Sequence, residues 1–135
     1  MAAVFTVSQD EPAGDVVVVV MNAWVREADP KAKANAGYMI LVNVGPEDVT
    51  LARVESEAFN NIEVHEMAKV YGLMKMRKAT DVVVPANGKV HFEPGGKHLM
   101  LMGPREYFTT GQTVDMTLTF KSGRKQTVSV KVADR

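Results

Sequence analysis

Imidazole and thioether side chains recur in this chain at spacings that could hold a soft metal ion. In "GGKHLMLMGP", residues 95–104, His98, Met100 and Met102 alternate with Leu99 and Leu101. Successive side chains of a strand point to opposite faces, so one face carries imidazole and thioether and the other plain hydrocarbon. A second cluster lies in "IEVHEMAKVYGLMKMRKA", residues 62–79. There Tyr71-Gly72 reads as a tight turn between two extended runs. Pairing at residue-number sums of about 141 or 142 sets His65 opposite Met76 and Met67 opposite Met74. One face of that hairpin then bears one His and three Met, and two soft surfaces can converge.

Neutral thioethers suit Cu(I) and serve Mg, Ca or Mn poorly. Zinc takes Cys, His or carboxylate. The chain has no cysteine, which closes the disulfide, zinc-thiolate, blue-copper and cysteine-nucleophile readings together. Two His and two Met would hold Cu(I) with no ligand charge to favour Cu(II), and an incoming thiolate would displace the thioethers stepwise. That is carriage of copper, not redox catalysis. All three histidines and five of the nine methionines fall between His65 and Met102. An enzyme lacks support, because no nucleophile–base–acid set and no serine in a nucleophile-elbow context is present.

The elements that must position these residues are strands. Short Val- and Thr-rich runs separated by "NVGPED", "PANG", "EPGG" and "KSGR" argue for an antiparallel sandwich or barrel in one domain. Expected strands are residues 4–7, 15–25, 36–44, 49–55, 62–71, 73–79, 89–92, 98–101, 113–120 and 125–132, with "SEAFNNIE" holding one helical turn at most. Val114, Met116, Leu118 and Phe120 alternate with polar residues and read as core, as do Met21, Met39, Trp24 and Phe59. The run Val16–Met21 reads as a buried strand and is too short to span a bilayer. Sixteen Lys and Arg balance sixteen Asp and Glu, so no global charge argues for nucleic acid or an anionic membrane.

The spacing and its flanking text resemble a known family. His65, ten residues, Met76, twenty-one residues, then His98-Leu99-Met100 is similar to the copper motif of the periplasmic copper chaperones called PCu(A)C. "HEM", "GLMKMR", "VPANGKV", "EPGGKHLMLMG", "AWVREADP" and "NAGYMILVNVG" resemble that family too, over roughly residues 15–132. The resemblance implies a cupredoxin-like, Greek-key β-sandwich that binds Cu(I) outside the cytoplasm through His65, Met76, His98 and Met100. It implies delivery to the CuA site of cytochrome c oxidase, alone or with a Sco-type or thioredoxin-like partner. Sequestration, loading of another cuproenzyme such as a membrane monooxygenase, or a metal-independent interaction module are the alternatives.

Met67 and Met74 are candidate auxiliary thioethers or packing residues, in even balance. Met102 is expected to pack, and His91 to be an ordinary strand histidine. Lys75, Arg77 and Lys78 with Glu63 and Glu66 form a charged rim, more simply a solvated face. Many members of that family end in a His/Met-rich tail, whereas this sequence ends "KVADR", so one site is expected, with Cu(II) capture weak or supplied elsewhere. The start "MAAVFTVSQDEPAG" reads as a mature domain behind an initiator Met, its targeting segment removed. No large apolar patch is legible, which makes a monomer the expected state.

Overall fold

The computed structural model describes residues 18–27, 31 and 33–134. Ten strands follow in chain order: β1 Val18–Arg26, β2 Ala34–Asn43, β3 Val49–Glu55, β4 Phe59–Val70, β5 Leu73–Ala79, β6 Val82–Val84, β7 Lys89–Phe92, β8 His98–Pro104, β9 Thr113–Phe120 and β10 Lys125–Ala133. No helix forms among the described residues. Residues 4–7, expected to be a strand, and residues 15–17 lie outside the described residues.

Hydrogen bonding links the strands in the order β5-β4-β8-β2-β1-β10-β9-β3-β6, with β7 also paired to β2. This continuous sheet doubles over, because β3 packs on β4 and β2 on β6 although they are distant along it. Leu41, Leu51, Leu99, Leu101, Met116 and Leu118 are fully buried between the halves. Each such side chain contributes about 1.5–3 kcal/mol of burial free energy. β9 and β10 pair from Lys125↔Thr119 to Lys131↔Thr113, and the alternation along β9 is the one the sequence predicts.

Four features depart from the sequence reading. The run before Met21 is not buried on both faces: Val18 and Val20 point into the core, while Met21 is exposed and is not a core residue. A register shift between Met21 and Trp24 surrounds Asn22, at φ 52. Beyond it Trp24 and Val25 are both buried. The arrangement is not wholly antiparallel, since β1 and β10 run parallel, pairing Trp24 with Lys131 and Arg26 with Ala133. The short strand β6 pairs with β3 just before "PANG", too brief to leave a periodic signal. Finally, β4 begins at Phe59 and β8 continues to Pro104, both longer than expected.

Candidate metal centre

The run β5-β4-β8 sits at one end of the sheet order, with β5 as the edge. The β4–β5 hairpin closes on Val70↔Leu73, leaving Tyr71 and Gly72 as a two-residue turn with φ 50 and 80. Positive φ at both central residues is the type I′ requirement, and its twist matches that of the flanking strands. This turn sets the register. His65 lies opposite Lys78, Met67 opposite Met76 and Lys69 opposite Met74, two residues away from the expected pairing of His65 with Met76. A two-residue shift preserves the faces. One surface of the hairpin therefore does carry His65, Met67, Met74 and Met76.

β8 joins the other edge of β4. Val64 pairs with Leu99 and Ile62 with Leu101, all turned inward and buried. That alternation puts His98 directly opposite His65, with ring centroids 5.8 Å apart and planes inclined at 54°. Met100 lies between Glu63 of β4 and Ala36 of β2, and Met102 between Asn61 and Ala34. His65, His98 and Met100 thus occupy neighbouring positions of one surface. Met67 follows two residues after His65, and Met76 stands beside it on the edge strand. Met74 is one step further toward the turn. His91 is on β7, exposed and opposite Ile40, outside this run.

Each imidazole is held by one nitrogen. The Nδ1–H of His98 donates to the Gly96 carbonyl at 3.1 Å, leaving Nε2 with the lone pair. The loop "EPGG" makes this possible: Gly95 takes φ 84, and Glu93 N–H donates to the Lys97 carbonyl at 2.8 Å. His65 is held the opposite way, its Nε2–H donating to Glu63 Oε1 at 3.0 Å. An ionised carboxylate can only accept, so the lone pair of His65 resides on Nδ1. That atom is buried and has no hydrogen-bond partner. A buried nitrogen left unpaired costs about 1–3 kcal/mol, a cost that a bound ion would offset. This orphan lone pair is the feature of the site that best fits a metal.

The sequence reading placed Glu63 in a charged rim, more simply a solvated face. Glu63 is instead part of the face that carries His65. The hydrogen bond from His65 holds its carboxyl below the ordinary carboxylate range, against partial burial, and Lys78 adds to the effect from 3.5 Å. Its spacing from His65, two residues on one strand, was the signal that identifies it. Among the described residues no three His, Cys, Asp or Glu side chains cluster as a cation site.

Exposure grows toward the turn. His98 is 9% exposed, Met76 50% and Met74 61%. Tyr71 at the turn and Leu73 on the opposite face of the hairpin are exposed too, so the hairpin tip shows apolar side chains that the hydrophobic pattern did not disclose. Lys97 pairs with Glu66 at 3.7 Å and Arg77 with Glu66 at 3.1 Å. Lys97 thus ties the start of β8 to β4. No helix among the described residues is long and apolar enough to cross a membrane.

Residues 18–132 match the LpqE-like family, described as "Putative lipoprotein LpqE-like". A 118-residue stretch is 31% identical to "Putative lipoprotein Lxx21020" of Leifsonia xyli subsp. xyli, spanning 87% of this chain and 70% of that protein. "Uncharacterized protein RP573" of Rickettsia prowazekii is 28% identical over 131 residues, spanning 94% and 72%. Among solved structures, the copper-bound PCuAC domain from PmoF2 superposes with a TM-score of 0.74 at 21% identity, covering 89% of this chain and 95% of that one. DR1885 from Deinococcus radiodurans, in its apo solution structure, gives 0.68 at 26% identity, covering 100% and 95%. The fold is the cupredoxin-like sandwich of the PCuAC domains, and the chain belongs to the LpqE-like family.

Proposed function

We propose that this protein is an extracytoplasmic Cu(I) carrier of one domain, acting as a monomer, that gives up its copper to a cuproenzyme by ligand exchange and performs no catalysis. The observation that carries the reading is the facing pair His65 and His98, each oriented through one nitrogen, with the remaining lone pair of His65 buried and unpartnered. Met100 and Met76 complete the proposed set, and Met67 and Met74 serve as auxiliary donors. Support comes also from DR1885, whose Cu(I) form has been solved and matches this chain at 26% identity with a TM-score of 0.68. Two imidazoles and two thioethers are neutral, so they favour Cu(I) over Cu(II). Exposed thioethers on an edge strand are open to an incoming thiolate, which binds Cu(I) more strongly. The CuA site of cytochrome c oxidase, reached directly or through a Sco-type or thioredoxin-like protein, is the proposed destination.

An anaerobic Cu(I) titration of the apo protein against a chromophoric chelator tests the site. The expected result is one tight equivalent, weakened at least tenfold by His98→Ala or Met76→Leu and unchanged by His91→Ala. Equal effects from all three substitutions would overturn the ligand assignment.

A further inference from the structure

Net charge is zero over the whole chain, yet the outer part of the β4–β5 hairpin is strongly one-signed. Residues 67–78 contain Lys69, Lys75, Arg77 and Lys78 and no carboxylate. Arg77 and Lys78 are paired with Glu66 and Glu63 nearer the base of β4, so the free positive charge lies toward the turn. The register distributes these cations over both faces. Lys69 and Lys78 share the methionine face, while Lys75 and Arg77 alternate with Met74 and Met76 along β5. Lys69 and Lys75 are exposed and form no ion pair with a described residue. Between them stand the exposed apolar side chains of Tyr71, Leu73 and Met74. β5 is also the terminal strand of the sheet order, paired on one side only.

An unpaired edge invites another strand, and Lys on an edge is the common defence against self-pairing. Two copies meeting through β5 would set cation against cation, whereas an acidic surface would meet complementary charge. The position of the charge fits the proposed copper site as well. Cations beside a neutral ligand set do nothing to retain Cu(I), but they draw in anionic donors. We propose that the outer β4–β5 hairpin is the docking surface for the copper acceptor, and that this acceptor is a protein presenting its thiolates within an acidic surface. The inference rests on the Cu(I)-carrier reading and supplies the chemistry of its partner.

The transfer leaves the oxidation state alone. A thioether–Cu(I) bond breaks as a thiolate–Cu(I) bond forms, the thiol proton passing to solvent, and no electron moves. An anionic lipid surface would satisfy the same cations, but insertion of the hairpin would bury the methionines that the exchange needs open. A protein acceptor is therefore favoured.

The test compares two synthetic dicysteine peptides, one flanked by aspartates and one by serines, as acceptors from the copper-loaded protein. Transfer is followed by the ultraviolet absorption of the Cu(I)–thiolate product. At low ionic strength Lys69→Glu with Lys75→Glu is expected to slow transfer to the acidic peptide about tenfold or more and to leave the serine peptide within about twofold. High salt should close the gap. The neutral pair Lys69→Gln and Lys75→Gln should fall between. Equal rates for the parent and the reversed variant with the acidic peptide, or equal slowing with both peptides, would overturn the proposal. So would co-sedimentation of the parent with phosphatidylglycerol vesicles but not with phosphatidylcholine vesicles, which would assign the surface to a membrane. Failure of the carrier reading is separately visible: the parent would then not compete with the chelator at all, and the docking proposal would fall with it.

Discussion

At the scale of single residues, the two histidines differ in what fixes them. His98 is oriented by a backbone carbonyl, which no side-chain substitution removes. His65 depends on Glu63. Partners behind a metal ligand typically influence affinity 10–100-fold, so Glu63→Ala is expected to weaken Cu(I) binding by about tenfold or more. Glu63→Gln retains an acceptor oxygen and should lose less. Chelator competition on the two variants checks both, and equal affinity for Glu63→Ala and the parent would show that His65 needs no holder. Met100→Leu carries the complementary expectation. It preserves volume and removes only the sulfur, so stability should change by less than about 1.5 kcal/mol while affinity drops. The sequence placed Met100 and His98 on their face because alternation alone decides that. The same alternation sets Glu63 on that face, but nothing in the sequence shows that its carboxylate accepts from His65 rather than facing solvent.

At the scale of elements, the Tyr71-Gly72 turn decides which residues of β4 and β5 meet. Tyr71 adopts φ 50, a conformation costly for a bulky residue, while its side chain is fully exposed and packs on nothing. Tyr71→Asn should therefore stabilise the protein by roughly 0.5–1 kcal/mol, since Asn-Gly is the favoured pair for this turn. Gly72→Ala should destabilise it by about 1 kcal/mol through strain at φ 80 alone, because an added Cβ meets nothing within 4 Å. Thermal unfolding of the two variants tests the pair of signs. Most strands were legible in the sequence: residues 49–55, 73–79, 89–92 and 113–120 appear with the expected limits, each bounded by turn residues and carrying β-branched or alternating side chains. The hairpin register was missed although the turn that sets it was recognised. A two-residue Tyr71-Gly72 turn pairs Val70 with Leu73, a sum of 143 rather than 141 or 142, while alternation alone specifies a face and leaves shifts by two residues open. Only the geometry of the turn removes that freedom. The parallel contact of β1 with β10 was hidden for a different reason. Pairing between distant strands leaves no local trace in either one.

At the scale of the whole molecule, core packing and the proposed metal ligands occupy opposite faces of the same strand. Leu101→Ala should cost about 2–5 kcal/mol by opening a cavity in a fully buried layer, as measured by chemical denaturation. Its donors would be untouched, and copper should still bind below the shifted unfolding midpoint. A separate contact joins β1 to the loop before β9. Glu27, at the end of β1, accepts from the Thr110 N–H at 2.8 Å and the Thr110 hydroxyl at 2.9 Å. These bonds, the backbone N–H foremost, hold its carboxyl below its ordinary value of 4.5. A lowered native pKa stabilises the fold above the ordinary value, and that contribution is lost as pH falls through the native one. Glu27→Gln should therefore lower the melting temperature at neutral pH, with the difference from the parent closing below about pH 4.5. A constant gap across that range would assign the effect to packing.

The parallel seam between β1 and β10 has its own consequence in time. Among the described residues, β1 links the half of the sheet holding β2, β4, β5, β7 and β8 to the half holding β3, β6 and β9, and it makes that link through β10. The first half can assemble around β1 from antiparallel pairs, but the seam waits for the last strand to arrive. Until then β1 offers an open, valine-rich border. Pairings of such long sequence separation are slow to form, so the interval before closure is when the nascent chain is most open to mispairing with another copy of itself.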